Sequence, residues 1–216
     1  FSGATPWPEG QPDFEEAMRA HFTICEQLSQ TIVEAICLSL GLPRGRLTKS
    51  FEPAHTSFLR LNYYPVEDPL SDIPEEAGAS ADLGIHHHSD AGAVTILIQD
   101  DVGGLQVFKD DYWYDVEPIK DAFVVNIGDM FQVWSNDRYR AALHRVQAMS
   151  QTDRYSFPFF YNPDYSAIVE PLECAAEPNL YNSIDWGEFR RRRADGDYAD
   201  VGKEVQIADY RVAAAG

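Results

Sequence analysis

From Phe14 to Leu40 apolar residues recur at helical spacing: Phe14, Met18, Phe22, Cys25, Leu28, Ile32, Ile36 and Leu40. The pattern predicts one long amphipathic helix over about 13–41, with its apolar stripe docked on a core. Asp13 is the expected N-cap, with Glu15 and Glu16 in the first turn, where the helix dipole favours acids. Gly41 and Pro43 stop the helix. Residues 44–57 read as a connection with room for a short helix. His55, alone in it, reads as a surface or core residue.

The period then changes. From Ser57 to Tyr64 side chains alternate, which predicts a strand. One parity carries Phe58, Arg60, Asn62 and Tyr64; the other carries Leu59, Leu61 and Tyr63. The polar parity is expected to face a functional cavity and the leucines to pack beneath a helix, with Pro65 ending the strand. Residues 66–84 are an acidic, Pro- and Gly-containing stretch that reads equally as an entrance lid or as a solvated loop. Short apolar runs follow in quick succession: Val94 to Ile98, Leu105 to Phe108, Tyr112 to Val116, Ala122 to Ile127, His144 to Ala148 and Tyr155 to Tyr161. Gly103-Gly104, Lys109-Asp110-Asp111 and Gly128-Asp129 punctuate them, and Phe131 to Trp134 fits a short strand or a helical turn. Strands of this length and spacing predict a sandwich or jelly roll. A helix is expected from about Asp185. Its four arginines, Arg190 to Arg193, are expected to fan round the axis as a solvated face.

Composition narrows the class. The 216 residues, 44% hydrophobic and 12% aromatic, suffice for a globular core. A net charge of −18 excludes the basic footprint that nucleic acid or an anionic membrane requires. No apolar run reaches the length of a membrane span. The three cysteines, Cys25, Cys37 and Cys174, have no metal-ligand spacing, and their odd number argues against a disulfide framework. A reducing, cytoplasmic setting is expected. The chain starts at Phe1 after which come Pro6, Pro8 and Pro12, so further upstream sequence, with any targeting segment in it, is expected.

The chemistry concentrates at His86-His87-His88-Ser89-Asp90. On extended backbone, residues i and i+2 point the same way, so His88 and Asp90 can reach one ion. His144 is a third candidate ligand. Two imidazoles and a carboxylate on one face of a metal form the facial triad of non-haem Fe(II) sites, which leaves about three of six positions open. The short His-x-Asp pair alone fits a solvated strand end better than a metal site. A second cluster weighs against that. On a strand, Arg154, Ser156 and Phe160 share one face, and a guanidinium beside a hydroxyl is a carboxylate receptor. Asn62 and Tyr64 supply further donors. A molecule chelating iron at one end and ending in a carboxylate, such as 2-oxoglutarate, would satisfy both clusters.

Residues from about 58 to 165 resemble the catalytic core of the isopenicillin N synthase-like branch of the Fe(II)/2-oxoglutarate-dependent oxygenases. The resemblance lies in Leu61-Asn62-Tyr63-Tyr64-Pro65, His88-Ser89-Asp90, Val102-Gly103-Gly104-Leu105-Gln106-Val107, Asn126-Ile127-Gly128-Asp129, Leu143-His144-Arg145-Val146 and Arg154-Tyr155-Ser156-Phe157. It implies a mainly β fold, a double-stranded β-helix (jelly roll) with the long N-terminal helix and a C-terminal helical segment packed outside. Residues 1–216 would form one domain: helical support over 1–57, the core over 58–165 and an extension over 166–216. It further implies iron at His88, Asp90 and His144, the distal carboxylate of 2-oxoglutarate at Arg154 and Ser156 with Tyr64 assisting, and Asn62 near its metal-chelating end. The Gly103-Gly104 turn and Asn126 to Asp129 would be scaffold. Phe58, Arg60 and Phe160 are pocket candidates by parity. His86 and His87, a departure from the family pattern, fit either the pocket or no role.

The implied activity consumes dioxygen and 2-oxoglutarate, releases succinate and carbon dioxide, and oxidises an unactivated C–H bond of a small molecule, for which an amino acid or a natural-product intermediate is expected. Hydroxylation is the usual outcome; desaturation and ring closure are others. Alternatives are an Fe(II) oxidase of the isopenicillin N synthase type that needs no 2-oxoglutarate, a hydrolase or lyase using another divalent metal, and a non-catalytic jelly-roll binding module.

Overall fold

The computed structural model describes residues 5–66, 83–173, 178–197 and 205–213. Most of the acidic stretch at 66–84, and Cys174, lie outside the described residues.

Helix α1 spans Pro12–Ser39. Pro12 suits the first turn because its missing N–H would have no helical partner there. Gln11, not Asp13, occupies the cap, and no side chain caps the helix. Asp13 lies one position inside, where its charge still meets the N-terminal dipole. The chain leaves at Leu40, and Gly41 takes the positive φ of 78° that reverses it. The buried face carries Cys25, Ser29, Val33, Ile36 and Cys37. Burial pushes the Cys25 thiol up to about 11, so it packs as an apolar group.

The strands are β1 (Phe58–Leu59), β2 (Asn62–Tyr64), β3 (Leu83–His88), β4 (Val94–Gln99), β5 (Leu105–Lys109), β6 (Tyr112–Asp115), β7 (Val124–Ile127), β8 (His144–Gln147), β9 (Arg154–Tyr161), β10 (Ile168–Val169) and β11 (Ile184–Asp185). They pair antiparallel into a five-stranded sheet, β1-β9-β4-β7 with β2 also on β9, and a four-stranded sheet, β3-β8-β5-β6. β10 and β11 form a separate pair. The two antiparallel sheets form a jelly-roll-like core that matches the expected class.

The predicted strand over 57–64 is broken into β1 and β2 at Arg60-Leu61. Leu59 reaches the main core, but Leu61 is exposed, as is Tyr63 beyond it, so only one leucine packs inward. The segment at Phe131 to Trp134 is helical, within α2 (Asp129–Trp134), and buries Met130, Phe131, Val133 and Trp134. A short 3-10 turn at Thr48–Phe51 fills the connection after α1. His55 is held by Glu26 at 2.7 Å. The main core lies between α1, α2 and the outer face of the large sheet, where Phe22 meets Phe159 edge to face at 4.9 Å. A second cluster, Tyr64, Leu97, Leu105 and Val146, lies between strands of the two sheets.

Helix α3 (Trp186–Asp197) departs from the expected solvated arginine face. Arg191 and Arg192 are exposed. Arg190 lies over the rings of Phe58 and Trp186 and donates to the Thr56 carbonyl, while Arg193 is buried. The reason is spacing: Trp186, Phe189 and Arg193 fall on one helical face, and that face is the docked one.

Gly128 marks the closest backbone approach near the site. A Cβ there would strike the carbonyl of Gly92 and lie 3.0 Å from that of Asp90. Both obstacles are backbone and neither can swing aside. Gly128→Ala is therefore expected to destabilise the protein by about 1–3 kcal/mol, the range for overpacking, read as a lowered urea midpoint at unchanged m-value.

Candidate metal and co-substrate site

Strand pairing assembles the first cluster. In the β3–β8 register His88 lies directly opposite His144, and their ring centroids are 4.4 Å apart. Asp90 follows just past the end of β3. Its Oδ1 lies 3.9 Å from His88 Nε2 and 3.7 Å from His144 Nε2. One candidate ligand atom from each of the three residues falls within 4.8 Å of the others, the spread a single ion can bridge.

The tautomers are set by the backbone. His88 Nδ1 lies 2.8 Å from the His86 carbonyl, and His144 Nδ1 lies 3.0 Å from the Ala142 carbonyl. A carbonyl only accepts, so each Nδ1 carries the hydrogen and each Nε2 presents a lone pair to the centre. Burial, and then the neighbouring His144, hold the His88 imidazole below its usual pKa, which favours the neutral ligand form.

The second cluster comes from β2 and β9. The register puts Asn62 opposite Ser156 and Tyr64 opposite Arg154. Asn62 Nδ2 donates to Ser156 Oγ at 3.3 Å, so the Ser156 hydroxyl hydrogen is left to point elsewhere. Arg154 is 1% exposed. Its guanidinium lies 4.9 Å from the centroid of the Tyr64 ring, and Nη2 donates to Gln99 Oε1 at 3.0 Å.

Both clusters line one cleft. Arg60, Asn62, Tyr64, Arg154, Ser156 and Phe160 line it together with His88, Asp90 and His144. Among the described residues, four buried side-chain polar atoms have no hydrogen-bond partner. Three of them are here: Asp90 Oδ2, Arg154 Nε and Arg154 Nη1. A buried carboxylate oxygen and two buried guanidinium nitrogens without partners are costly unless a ligand satisfies them. The donor set fits a cation at Asp90 and a carboxylate at Arg154.

Two pocket candidates are not brought to the cleft. Phe58 stacks behind Phe160 at 4.7 Å with Arg190 over it, and so supports the wall without lining it. His86 is exposed. Strand parity would have placed it beside His88, but a register shift between Ile85 and His88 breaks the alternation. Ile85 and His88 face the cleft instead, and His86 contributes its carbonyl. His87 packs near Trp113.

Other residues went unnoticed in the sequence. Thr95 and Leu97 of β4 line the cleft, and Gln99 follows on the same parity to hold Arg154. That alternation was a usable signal. Asn126 also lines the cleft, and Gly128 and Asp129 do not. Asp129 N donates to the Asp90 carbonyl at 2.7 Å. Its own carboxyl is 1% exposed and pushed up to about 6 by burial, against the opposing pull of Arg193 and a hydrogen bond from Ser89.

A family model for the 2OG-Fe(II) oxygenase superfamily matches residues 55–163. The chain belongs to that superfamily, whose cofactors are Fe(II) and 2-oxoglutarate. Among curated proteins, it is 38% identical to a 1-aminocyclopropane-1-carboxylate oxidase of Musa acuminata over 85% of this chain and 60% of that protein. It is 40% identical to gibberellin 20 oxidase 2 of Oryza sativa subsp. indica over 83% of this chain and 44% of that one. The chain thus spans roughly half the length of the curated relatives it matches. A crystal structure of JOX2 in complex with 2OG, Fe and JA superposes with a TM-score of 0.74 at 36% identity, covering 86% of this chain and 54% of that one. A full-length Neurospora crassa protein crystallised with alpha-KG and thymine superposes with a TM-score of 0.78 at 28% identity, covering 91% and 62%. Among the described residues no helix is long and apolar enough to cross a membrane.

Proposed function

We propose that this chain is the catalytic part of an Fe(II)- and 2-oxoglutarate-dependent dioxygenase that oxidises a C–H bond of a small molecule. The observation that carries the reading is one cleft lined by three convergent ligand atoms, an unsatisfied Asp90 oxygen and two unsatisfied Arg154 nitrogens. His88 Nε2, His144 Nε2 and Asp90 would hold the metal, and three protein ligands would leave positions open for co-substrate and oxygen. Arg154, which keeps unpartnered guanidinium N–H groups, would take the distal carboxylate of 2-oxoglutarate. Ser156 donates its hydroxyl hydrogen to the same group, with Asn62 fixing that rotamer and Tyr64 backing the guanidinium. When bound, the iron and 2-oxoglutarate supply activation of dioxygen and oxidation of the target carbon, with release of succinate and carbon dioxide. Leu97, Leu105, Val146 and Pro158 line the rest of the cleft and limit water there.

Arg60 lies at the cleft with its guanidinium 5.6 Å from the Phe160 ring centroid. With Asp90 assigned to metal and Arg154 to co-substrate, Arg60 favours a substrate bearing a carboxylate, such as an amino acid or a natural-product acid. Residues 58–165 act as the catalytic core of one domain, with helical support before it and the extension after it. Cys25 and Cys37 are buried thiols outside any disulfide, which supports a reducing, cytoplasmic setting.

Adding 2-oxoglutarate anaerobically to the Fe(II) protein should produce a visible charge-transfer band, and succinate release should rise above the uncoupled background with a cognate substrate. Oxygen consumption without the band or succinate would favour an oxidase that does not use 2-oxoglutarate. No Fe(II) binding at all would sink the proposal.

A further inference from the structure

Arg193 lies on α3, far along the chain from the His-x-Asp segment, yet its guanidinium ends directly behind it. Nη2 donates to the carbonyl of Ser89, the residue between His88 and Asp90, at 3.0 Å. Nη1 donates to Asp129 Oδ2 at 2.9 Å and to Gln206 Oε1 at 3.1 Å. Asp129 closes the circuit, because its backbone N–H donates to the Asp90 carbonyl at 2.7 Å. Both carbonyls of the Ser89-Asp90 segment are thus tied down, one by the arginine directly and one through the residue the arginine pairs with. The network is nearly dry, with Asp129 at 1% and Arg193 at 9% exposure.

This matters because Asp90 stands outside the strand. β3 ends at His88, and β-ladder hydrogen bonds hold His88 and His144 but not Ser89 or Asp90. The direction of the carboxylate therefore depends on whatever fixes those two peptide units. We infer that Arg193 is a positioning residue for the iron site: its fork, spanning Ser89 O and Asp129, sets the orientation of Asp90 relative to the two imidazoles. The inference rests on the triad being the metal site. It makes the C-terminal helix part of the metal-binding machinery, although α3 supplies no ligand. A guanidinium is suited to the task because it is planar and reaches two separated acceptors at once, whereas an ammonium is a point donor.

The test is anaerobic Fe(II) titration of the full chain carrying Arg193→Met or Arg193→Lys, with Arg192→Met as control. Arg192 is exposed and only approaches Glu188 at 4.0 Å, so its variant should match wild type. Arg193→Met is expected to weaken Fe(II) binding by about 10- to 100-fold, the usual effect of removing a group that orients a ligand. Arg193→Lys should recover only part of that loss. Affinity for 2-oxoglutarate at saturating Fe(II) should stay at the wild-type value, since Arg154 is on a different strand. Wild-type Fe(II) affinity in both variants, whatever their melting temperatures, would mean that Arg193 merely anchors α3, and the inference would be wrong. Should the Arg193 variants not fold, Asp129→Asn keeps the backbone donor but weakens the pairing with Arg193. It should likewise weaken Fe(II) binding, and unaltered affinity would overturn the proposal. Failure of the wild-type chain to bind Fe(II) would overturn the oxygenase reading and this one with it.

Discussion

Replacing His144 by alanine should remove Fe(II) binding and all succinate formation while leaving the protein folded. His144 is one of the three proposed protein ligands, so its loss would open a further coordination position to water and weaken the donor set. Removing a group that merely orients a ligand costs about 10- to 100-fold in metal affinity, so loss of a ligand itself should exceed about 100-fold. The fold should survive because the side chain borders the cleft and its Nδ1 bonds only to the Ala142 carbonyl two residues away. Anaerobic Fe(II) titration, with circular dichroism as the folding control, decides the matter. Wild-type metal affinity in a folded His144→Ala protein would show that the ion binds elsewhere.

Arg154→Met should act in two opposite directions. Toward 2-oxoglutarate, it removes a buried charge-assisted pair. Truncating one partner of such a pair costs about 2–5 kcal/mol, or roughly 30- to 3000-fold in Kd. Toward the ligand-free protein, it removes a buried guanidinium with two unpartnered nitrogens. Methionine fills similar volume without the desolvation cost, so the ligand-free variant should melt no lower than wild type. The bond to Gln99 and the contact with the Tyr64 ring are lost and limit the gain. Calorimetric binding of 2-oxoglutarate at saturating Fe(II), paired with thermal melts without ligand, tests both halves. A variant that melts far lower yet binds 2-oxoglutarate normally would mean that Arg154 is structural.

Much of the site could be read along the chain because the local period is preserved where it matters. The alternation Asn62, Tyr64 and the alternation Arg154, Ser156 each survive in a regular strand, and antiparallel register then puts the two pairs side by side. His86 shows the limit of the same rule. One irregularity in the β3–β8 register turned it outward, and nothing in three consecutive histidines reveals where a bulge will fall. The break at Arg60-Leu61 likewise exposed Leu61, against its hydrophobicity. Arg193 was missed for a different reason. Its spacing from Trp186 and Phe189 placed it on the buried face, but four successive like charges drew attention to solvent.

The amino-acid order alone determined which residue types were available and which strand faces they shared: two imidazoles and a carboxylate for a metal, a guanidinium and a hydroxyl for an acid, and short strands to carry them. Those are local properties, set by residue chemistry and a two-residue period. Only the tertiary structure decided that His88 meets His144 across a strand pair, that Arg154 is buried with two unpartnered nitrogens in the same cleft, and that α3 returns to the Ser89 carbonyl. Such contacts join residues distant along the chain. They are selected by the burial of whole faces and the pairing of whole strands, and neither is encoded at any single position.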